Sequence, residues 1–177
     1  LMLGSKSHIV LYPINKKKEL NLVCILRCKR FDSVNTKQLI TDLVLKQNPK
    51  LKNIFDNEIK SWPLYFTPKI LPSSNKKVFY IGDAFNGFLP TLAQGAGQSI
   101  ESAYEIFNLL KENKLDTDTY FKLRSKRAQI VRKRSNLNFF TFHLSNSLIQ
   151  NIRNIILRFL VKRKKFIEGY LGKVYEN

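Results

Sequence analysis

Acidic residues and cysteine are the scarce elements of this sequence. Thirteen Asp plus Glu stand against 31 Lys plus Arg in 177 residues, a formal net charge of +18. That imbalance favours polyanionic partners: nucleic acid, anionic lipid or phosphate-rich ligands. The competing explanation is a Lys-, Asn- and Ile-rich coding bias that coats the surface, and it is favoured because the basic residues are spread with only one or two dense runs. Two cysteines, Cys24 and Cys28, exclude a disulfide framework, and no Cys/His cluster has zinc-site spacing. Four apart in an extended strand they share a face but stand too far apart to bridge, so a reduced, cytoplasmic compartment is the default. No apolar run reaches about 18 residues, so no transmembrane helix is expected. The opening LMLGSKSHIV has neither the charged nor the long apolar region of a secretory signal. Seven Gly and six Pro leave little room for low-complexity linkers, and no solenoid-period repeat is present. What remains, 44% apolar and 12% aromatic residues, suits a packed domain with a real core.

Apolar, β-branched residues 7–14 and 20–27 are separated by Asn15, Lys16, Lys17 and Lys18, which is a hairpin signal. Pro13 suits an edge or terminal strand position, because it cannot donate to a ladder. Leu39, Ile40, Leu43 and Val44 then recur at helical spacing and stop near Gln47, before Asn48-Pro49. Leu51, Ile54, Phe55 and Ile59 suggest a second short helix, and Leu64, Tyr65 and Phe66 a short strand between two prolines. A helix is expected over residues 98–111, with Ile100, Ala103, Tyr104, Phe107 and Leu110 on one stripe. Thr117 or Asp118 caps a further, Arg- and Lys-studded helix through Tyr120, Leu123, Ala128 and Val131. Residues 142–166 are helical by period through Leu148, Ile152, Ile155, Ile156, Phe159 and Leu160. Arg153, Arg158 and the run Lys162, Arg163, Lys164, Lys165 flank that apolar set. Such a helix either packs on its own domain or lies on an anionic membrane surface.

Most of the chemistry is concentrated in residues 78–103, VFYIGDAFNGFLPTLAQGAGQSIESA. Four apolar residues before Gly82 predict a strand buried on both faces. Gly82 lets backbone approach a ligand, and Asp83 at the strand's carboxyl end is an acceptor suited to the hydroxyls of a sugar or sugar alcohol. Pro90 stiffens the loop. Gln94, Gly95, Ala96 and Gly97 then expose consecutive N–H groups at a helix start, where the dipole favours a negative or electron-rich group. These features suggest a polyhydroxyl chain at Asp83 and an anionic ring edge at Gly95, Ala96 and Gly97. A plain strand–loop–helix, with Asp83 capping a turn and the glycines permitting tight packing, uses the same residues without chemistry.

Taken as one string, GDAFNGFLPTLAQGAGQSIESA closely resembles the second flavin-binding motif of the single-component FAD-dependent aromatic hydroxylases. That family includes the p-hydroxybenzoate, salicylate and ubiquinone-pathway hydroxylases. LPTLAQGAGQSIE is nearest in spelling to the salicylate-like branch. Residues 4–23, with His8, Tyr12-Pro13 and Asn21-Leu22-Val23, resemble the family's mid-chain hairpin. Tyr120, Arg124, Arg127 and Val131 resemble its Tyr–Arg–Arg helix, and FIEGY (residues 166–170) loosely resembles its C-terminal ending. The resemblance implies that Asp83 holds the ribityl chain of FAD and that Pro90 lies beside the reactive ring face. It further implies that Gly82 and Gln94 are also among the cofactor-binding residues, and that Gly95, Ala96 and Gly97 present N–H groups to the pyrimidine edge. NAD(P)H would reduce the flavin, and molecular oxygen would form a C4a-hydroperoxide that hydroxylates a small aromatic substrate.

Two residues depart from the family pattern: Asn86 stands for the usual His, and Ser102 for the Asp beside Glu101. The family's opening strand–GxGxxG–helix unit and its middle Asp-Gly motif are absent from this sequence. The expectation is therefore a C-terminal portion whose partner is the N-terminal half of the FAD domain, and which alone neither retains FAD tightly nor turns over. The fold class expected is an α+β or α/β fragment. Residues 1–72 form part of a mixed-sheet substrate domain, 73–135 the strand–loop–helix of the FAD domain, and 136–177 a C-terminal helical segment. The expected location is cytoplasmic; packing of the basic C-terminal helix on its own domain is favoured over the alternative, peripheral membrane contact through it. The alternative is a non-catalytic basic module that binds nucleic acid or a membrane surface. It leaves residues 82–97 unexplained, and no nucleic-acid partner is expected.

Overall fold

The computed structural model describes residues 1–27, 33–47, 49, 51–52 and 59–175. Among them the architecture is mixed α+β, with a three-stranded antiparallel sheet and six helices. The described residues separate into two compact units: Leu1–Pro63 with Phe140–Phe159, and Leu64–Phe139 with Leu160–Asn177.

In the first unit, β2 (Ser7–Ile14) and β3 (Glu19–Leu26) form the expected hairpin, in register from Ser7↔Leu26 to Ile14↔Glu19. The polar break closes it through a 3-10 turn, Asn15–Lys17, whose three residues all have positive φ, with Lys18 N–H donating to the Asn15 carbonyl at 3.1 Å. β1 (Met2–Leu3) covers β2 only opposite His8 and Ile9, so Pro13 needs no second ladder partner and pairs with Leu20 alone. α1 (Ser33–Gln47) places Ile40 and Val44 against Ile9, with Met2, Leu22, Cys24 and Leu26 around them. Burial raises the Cys24 thiol to about 11, which disfavours its thiolate form. Cys28 lies outside the described residues, as do Ile54 and Phe55 of the expected second short helix; Pro49, Leu51 and Lys52 form a 3-10 turn.

The first unit also contains the chain's two histidines, buried against each other. His8 Nδ1 lies 3.1 Å from His143 Nε2, and the Phe142 ring packs edge-on to His8 at 5.3 Å. Burial, and then the charge of His143, lowers the His8 pKa to about 4.

The second unit is built on α2 (Gly82–Asn86), α3 (Gly95–Lys111), most of α4 (Thr117–Phe142) and α6 (Lys164–Tyr175). Its core joins Ile70, Phe85, Leu109, Tyr120 and Ala128, with Phe79, Phe88, Ile106, Leu115 and Phe121 packed on them. Tyr170 of α6 closes onto α4, its hydroxyl donating to Asn138 Oδ1 at 2.6 Å with the Arg134 guanidinium over its ring.

Several expectations are corrected here. Residues 78–81 are extended at Ile81 but form no strand, because they have no ladder partner among the described residues; Val78, Tyr80 and Ile81 are exposed rather than buried on two faces. Leu64, Tyr65 and Phe66 form no strand either, and all three are exposed. The turn expected at Gly82 and Asp83 is the first turn of a short helix. The cap of α4 is neither Thr117 nor Asp118 but Asp116, whose Oδ1 accepts from the N–H groups of Asp118 and Thr119, each at 2.9 Å. Residues 142–166 are not one helix. Asn146 caps a new start, accepting from Leu148 and Ile149 N–H, and α5 (Ser147–Leu160) is separated from α6 by a turn. The apolar stripe of α3 points outward, with Ile100, Tyr104, Phe107 and Leu110 between 55% and 71% exposed. Its buried side carries Gln98, Ser102 and Leu109.

Candidate functional site

The candidate site lies in the second unit, where α2 lies against α3. Gly82 has φ +56, a left-handed conformation that glycine adopts without steric cost. A Cβ there would also stand 2.7 Å from Ser99 Oγ. Ser99 Oγ in turn donates to the Gly95 carbonyl at 3.0 Å. Gly82 thus seats the start of α2 directly on the first turn of α3. Asp83 follows, exposed and without a hydrogen-bond or ion-pair partner among the described residues.

Pro90 begins a 3-10 turn, Pro90–Leu92, where its fixed φ suits the first helical position, and it is exposed. Ala93 closes the turn with φ +52. Thr91 ties this loop to α4: its hydroxyl donates to the Ser135 carbonyl at 2.7 Å, and its carbonyl accepts from Asn138 at 3.3 Å. Gln94, buried, is the cap residue of α3 but gives no side-chain cap bond; its carbonyl takes the first intrahelical bond, from Gln98 N–H at 2.8 Å. The N–H groups of Gly95, Ala96 and Gly97 therefore lack intrahelical acceptors, and the helix carries no acid in its first turn. A Cβ built on Gly95 meets nothing within 4 Å, and one on Gly97 meets only Gln94 Oε1, at 3.6 Å. Free donors, a positive helix end and open space combine to favour a planar, electron-rich group.

Behind this surface lies a polar lock between residues far apart in sequence. Glu101 accepts from Arg127 Nε at 3.1 Å, Arg124 Nη1 at 3.2 Å and Gln98 Nε2 at 2.8 Å. Arg124, buried, also donates to Gln98 Oε1 at 2.9 Å. Burial pushes the Glu101 carboxyl up, but the hydrogen bonds and charges of Arg127 and Arg124 outweigh it, and the pKa falls below its ordinary value. Spacings of three, Gln98/Glu101 and Arg124/Arg127, put each pair on one helix face, which is the only local signal for the lock. Tyr120 hydroxyl donates to the Tyr80 carbonyl at 2.8 Å, tying α4 to the extended run before Gly82. Ser102 is buried and donates to the Gln98 carbonyl at 2.7 Å. An ionised Asp at that position would need a partner of its own. Asn86 is buried, with Oδ1 accepting from Arg132 at 2.8 Å and Nδ2 left without a partner. Arg132 also donates to the Thr67 carbonyl.

Gly82 and the Gly95-Ala96-Gly97 helix start thus form one assembly, with Asp83 adjoining it in sequence. Pro90 stands at the head of the loop that delivers Gln94 to it. Among the described residues no group of three or more His, Cys, Asp or Glu could hold a metal ion. Nor is any described helix long and apolar enough to cross a membrane.

No protein-family model matches the chain. Over 96 residues, half of its length, it is 30% identical to the hispidin-3-hydroxylase of Neonothopanus nambi, 23% of which is covered. Over 97 residues, 52% of its length, it is 32% identical to the 3-amino-4-hydroxybenzoate 2-monooxygenase PtmB3 of Streptomyces platensis, 24% of which is covered. The chain thus spans about a quarter of the length of these curated relatives. By name, one of these relatives is a hydroxylase and the other a monooxygenase.

Proposed function

We propose that this chain is the flavin-ring portion of an FAD-dependent monooxygenase that hydroxylates a small aromatic substrate with electrons from NAD(P)H and one atom of molecular oxygen. One observation carries the reading: an uncapped, acid-free helix start at Gly95, Ala96 and Gly97, locked against Gly82 through Ser99, beside Asp83, which has no partner among the described residues.

These residues fit the group. Asp83 would accept from the ribityl hydroxyls, and the N–H groups of Gly95, Ala96 and Gly97 would donate to the pyrimidine edge. The dipole of α3 favours negative charge there, and donors already oriented by the helix need no reorganisation as that charge grows. Pro90, stiff and exposed, would lie along the ring face. Bound FAD supplies the electron relay from NAD(P)H and the activation of oxygen. The Glu101–Arg124–Arg127 lock holds α3 in place and leaves its first turn free of side-chain charge.

The exposed α3 stripe and residues 78–81 enter the same reading as the surface on which a strand–GxGxxG–helix unit packs to complete the FAD site. Curated relatives about four times the matched length are consistent with such a partner segment. The nucleic-acid alternative loses three of its cations to internal bonds, since Arg124, Arg127 and Arg132 are committed to Glu101, Gln98, Asn86 and Thr67.

The test is the protein made from the complete coding sequence that contains this chain. It should purify with one FAD per chain and couple NAD(P)H oxidation to oxygen uptake when an aromatic hydroxyacid is present. A colourless protein that neither binds added FAD nor consumes NAD(P)H would refute the reading.

A further inference from the structure

α5 is amphipathic in the reverse sense to an ordinary surface helix. The side it turns to its own unit is polar: Arg153 is buried and donates to the carbonyls of Thr141 at 3.0 Å and Phe142 at 3.3 Å, while Gln150 Nε2 donates to the Leu144 carbonyl at 2.8 Å. The Thr141 and Phe142 carbonyls end α4, where the Arg153 cation also meets the negative end of the dipole. Anchored by that side, α5 turns Leu148, Ile149, Ile152, Ile155 and Ile156 to solvent, each between 48% and 71% exposed. At 100° per residue these five fall within an arc of about 120°. Five large aliphatic side chains in one stripe form a patch well beyond the scattered exposed residues of an ordinary surface.

Charge identifies the occupant. Arg158, exposed, lies about 60° beyond the Ile155 side of the apolar arc, and after Val161 the sequence reads Lys162, Arg163, Lys164, Lys165, all exposed, with Lys164 3.6 Å from Glu168. A neutral protein groove that takes an apolar helix gains nothing from such basic flanks, whereas anionic lipid headgroups are matched by them. Fourteen residues give about 21 Å of helix, short of the ~30 Å hydrocarbon core, so α5 lies along the interface instead of crossing it.

We infer that α5 is an interfacial helix that docks the protein on an anionic phospholipid bilayer, with Leu148, Ile149, Ile152, Ile155 and Ile156 entering the acyl boundary and the adjoining cations engaging the headgroups. The inference does not depend on flavin binding or turnover, and its test reads neither.

The experiment is co-sedimentation of the full chain with phosphatidylcholine vesicles and with vesicles containing 30% phosphatidylserine, in low and high salt. A second readout is the fluorescence of an Ile155→Trp variant in a Trp62→Phe background. The expected results are binding that is roughly tenfold or more tighter to the anionic vesicles and weakened by salt, with a blue shift of the introduced tryptophan. Ile152→Ser/Ile155→Ser should lose at least tenfold in affinity while its circular dichroism stays unchanged, because both side chains are already exposed. Replacing Lys162, Arg163, Lys164 and Lys165 by Gln should abolish the preference for phosphatidylserine. The inference is overturned if the chain stays in the supernatant, if the serine variant binds as the parent does, or if the introduced tryptophan reports no change of environment. It is equally overturned if Ile152→Ser/Ile155→Ser converts a stable dimer into a monomer, which would make a second copy the occupant.

Discussion

Gly82→Ala perturbs the joint between α2 and α3 in two separable ways. An alanine at φ +56 pays the left-handed penalty of about 1–2 kcal/mol, offset by about 0.5 kcal/mol from a less flexible unfolded chain. Its Cβ also stands 2.7 Å from Ser99 Oγ, so the hydroxyl must leave and the bond to the Gly95 carbonyl is lost, at a cost of about 1 kcal/mol. The sum is roughly 2 kcal/mol, a fall of about 1 M in a urea midpoint. Ser99→Ala separates the contributions, because with the hydroxyl gone the nearest atom to the new Cβ is Ser99 Cβ at 3.5 Å, an ordinary contact. Gly82→Ala in the Ser99→Ala background should therefore cost about 1 kcal/mol, only the backbone penalty. Urea unfolding of the four proteins, followed by circular dichroism, measures the cycle. An unchanged midpoint for Gly82→Ala, or strictly additive single effects, would refute the reasoning.

Glu101→Gln removes the charge that pairs the buried Arg124 and the partly buried Arg127, and should destabilise by about 2–3 kcal/mol in thermal or urea unfolding; Gln98→Ala, which leaves the ion pair intact, should cost less. Acid should act on the histidine pair. Because the His8 pKa falls from 6.5 to about 4 in the folded state, the unfolded chain binds more protons between those values. Stability is then full above pH 6.5 and declines as pH falls toward 4, by up to about 3 kcal/mol. His8→Gln should flatten that decline between pH 6.5 and 4.5, above the range in which Glu101 titrates; a slope that persists in the variant would assign it to other groups.

The hairpin and α1 were legible because each is determined locally: a polar break between β-branched runs, and a helical period that stops before a proline. α3 was legible for the same reason, through its glycine-rich start and its apolar period. A period, however, identifies an apolar face without saying what covers it. The same stripe of Ile100, Tyr104, Phe107 and Leu110 reads alike whether it is buried or exposed. Residues 78–81 failed as a strand because apolar composition specifies extension, whereas a strand also needs a neighbour with which to pair. The Glu101–Arg124–Arg127 lock joins residues 23 and 26 apart, and the histidine pair joins residues 135 apart. No window of sequence contains either. Around the candidate site, the glycines could be picked out from the sequence, but the role of Ser99 as the surface that requires a glycine at Gly82 came only from the packing.

The central claim, that Asp83 and the Gly95 helix start hold a flavin, is tested most directly by the FAD dissociation constant of the protein made from the complete coding sequence, parent against Asp83→Ala. Asp83 is exposed and bonded to no described residue, so its removal leaves the fold intact and any loss reports the ligand. A hydrogen-bonded carboxylate is worth about 1.5–3 kcal/mol, which predicts a weakening of roughly 10- to 100-fold with unchanged thermal stability of the apoprotein. Equal affinities in parent and variant would contradict the account.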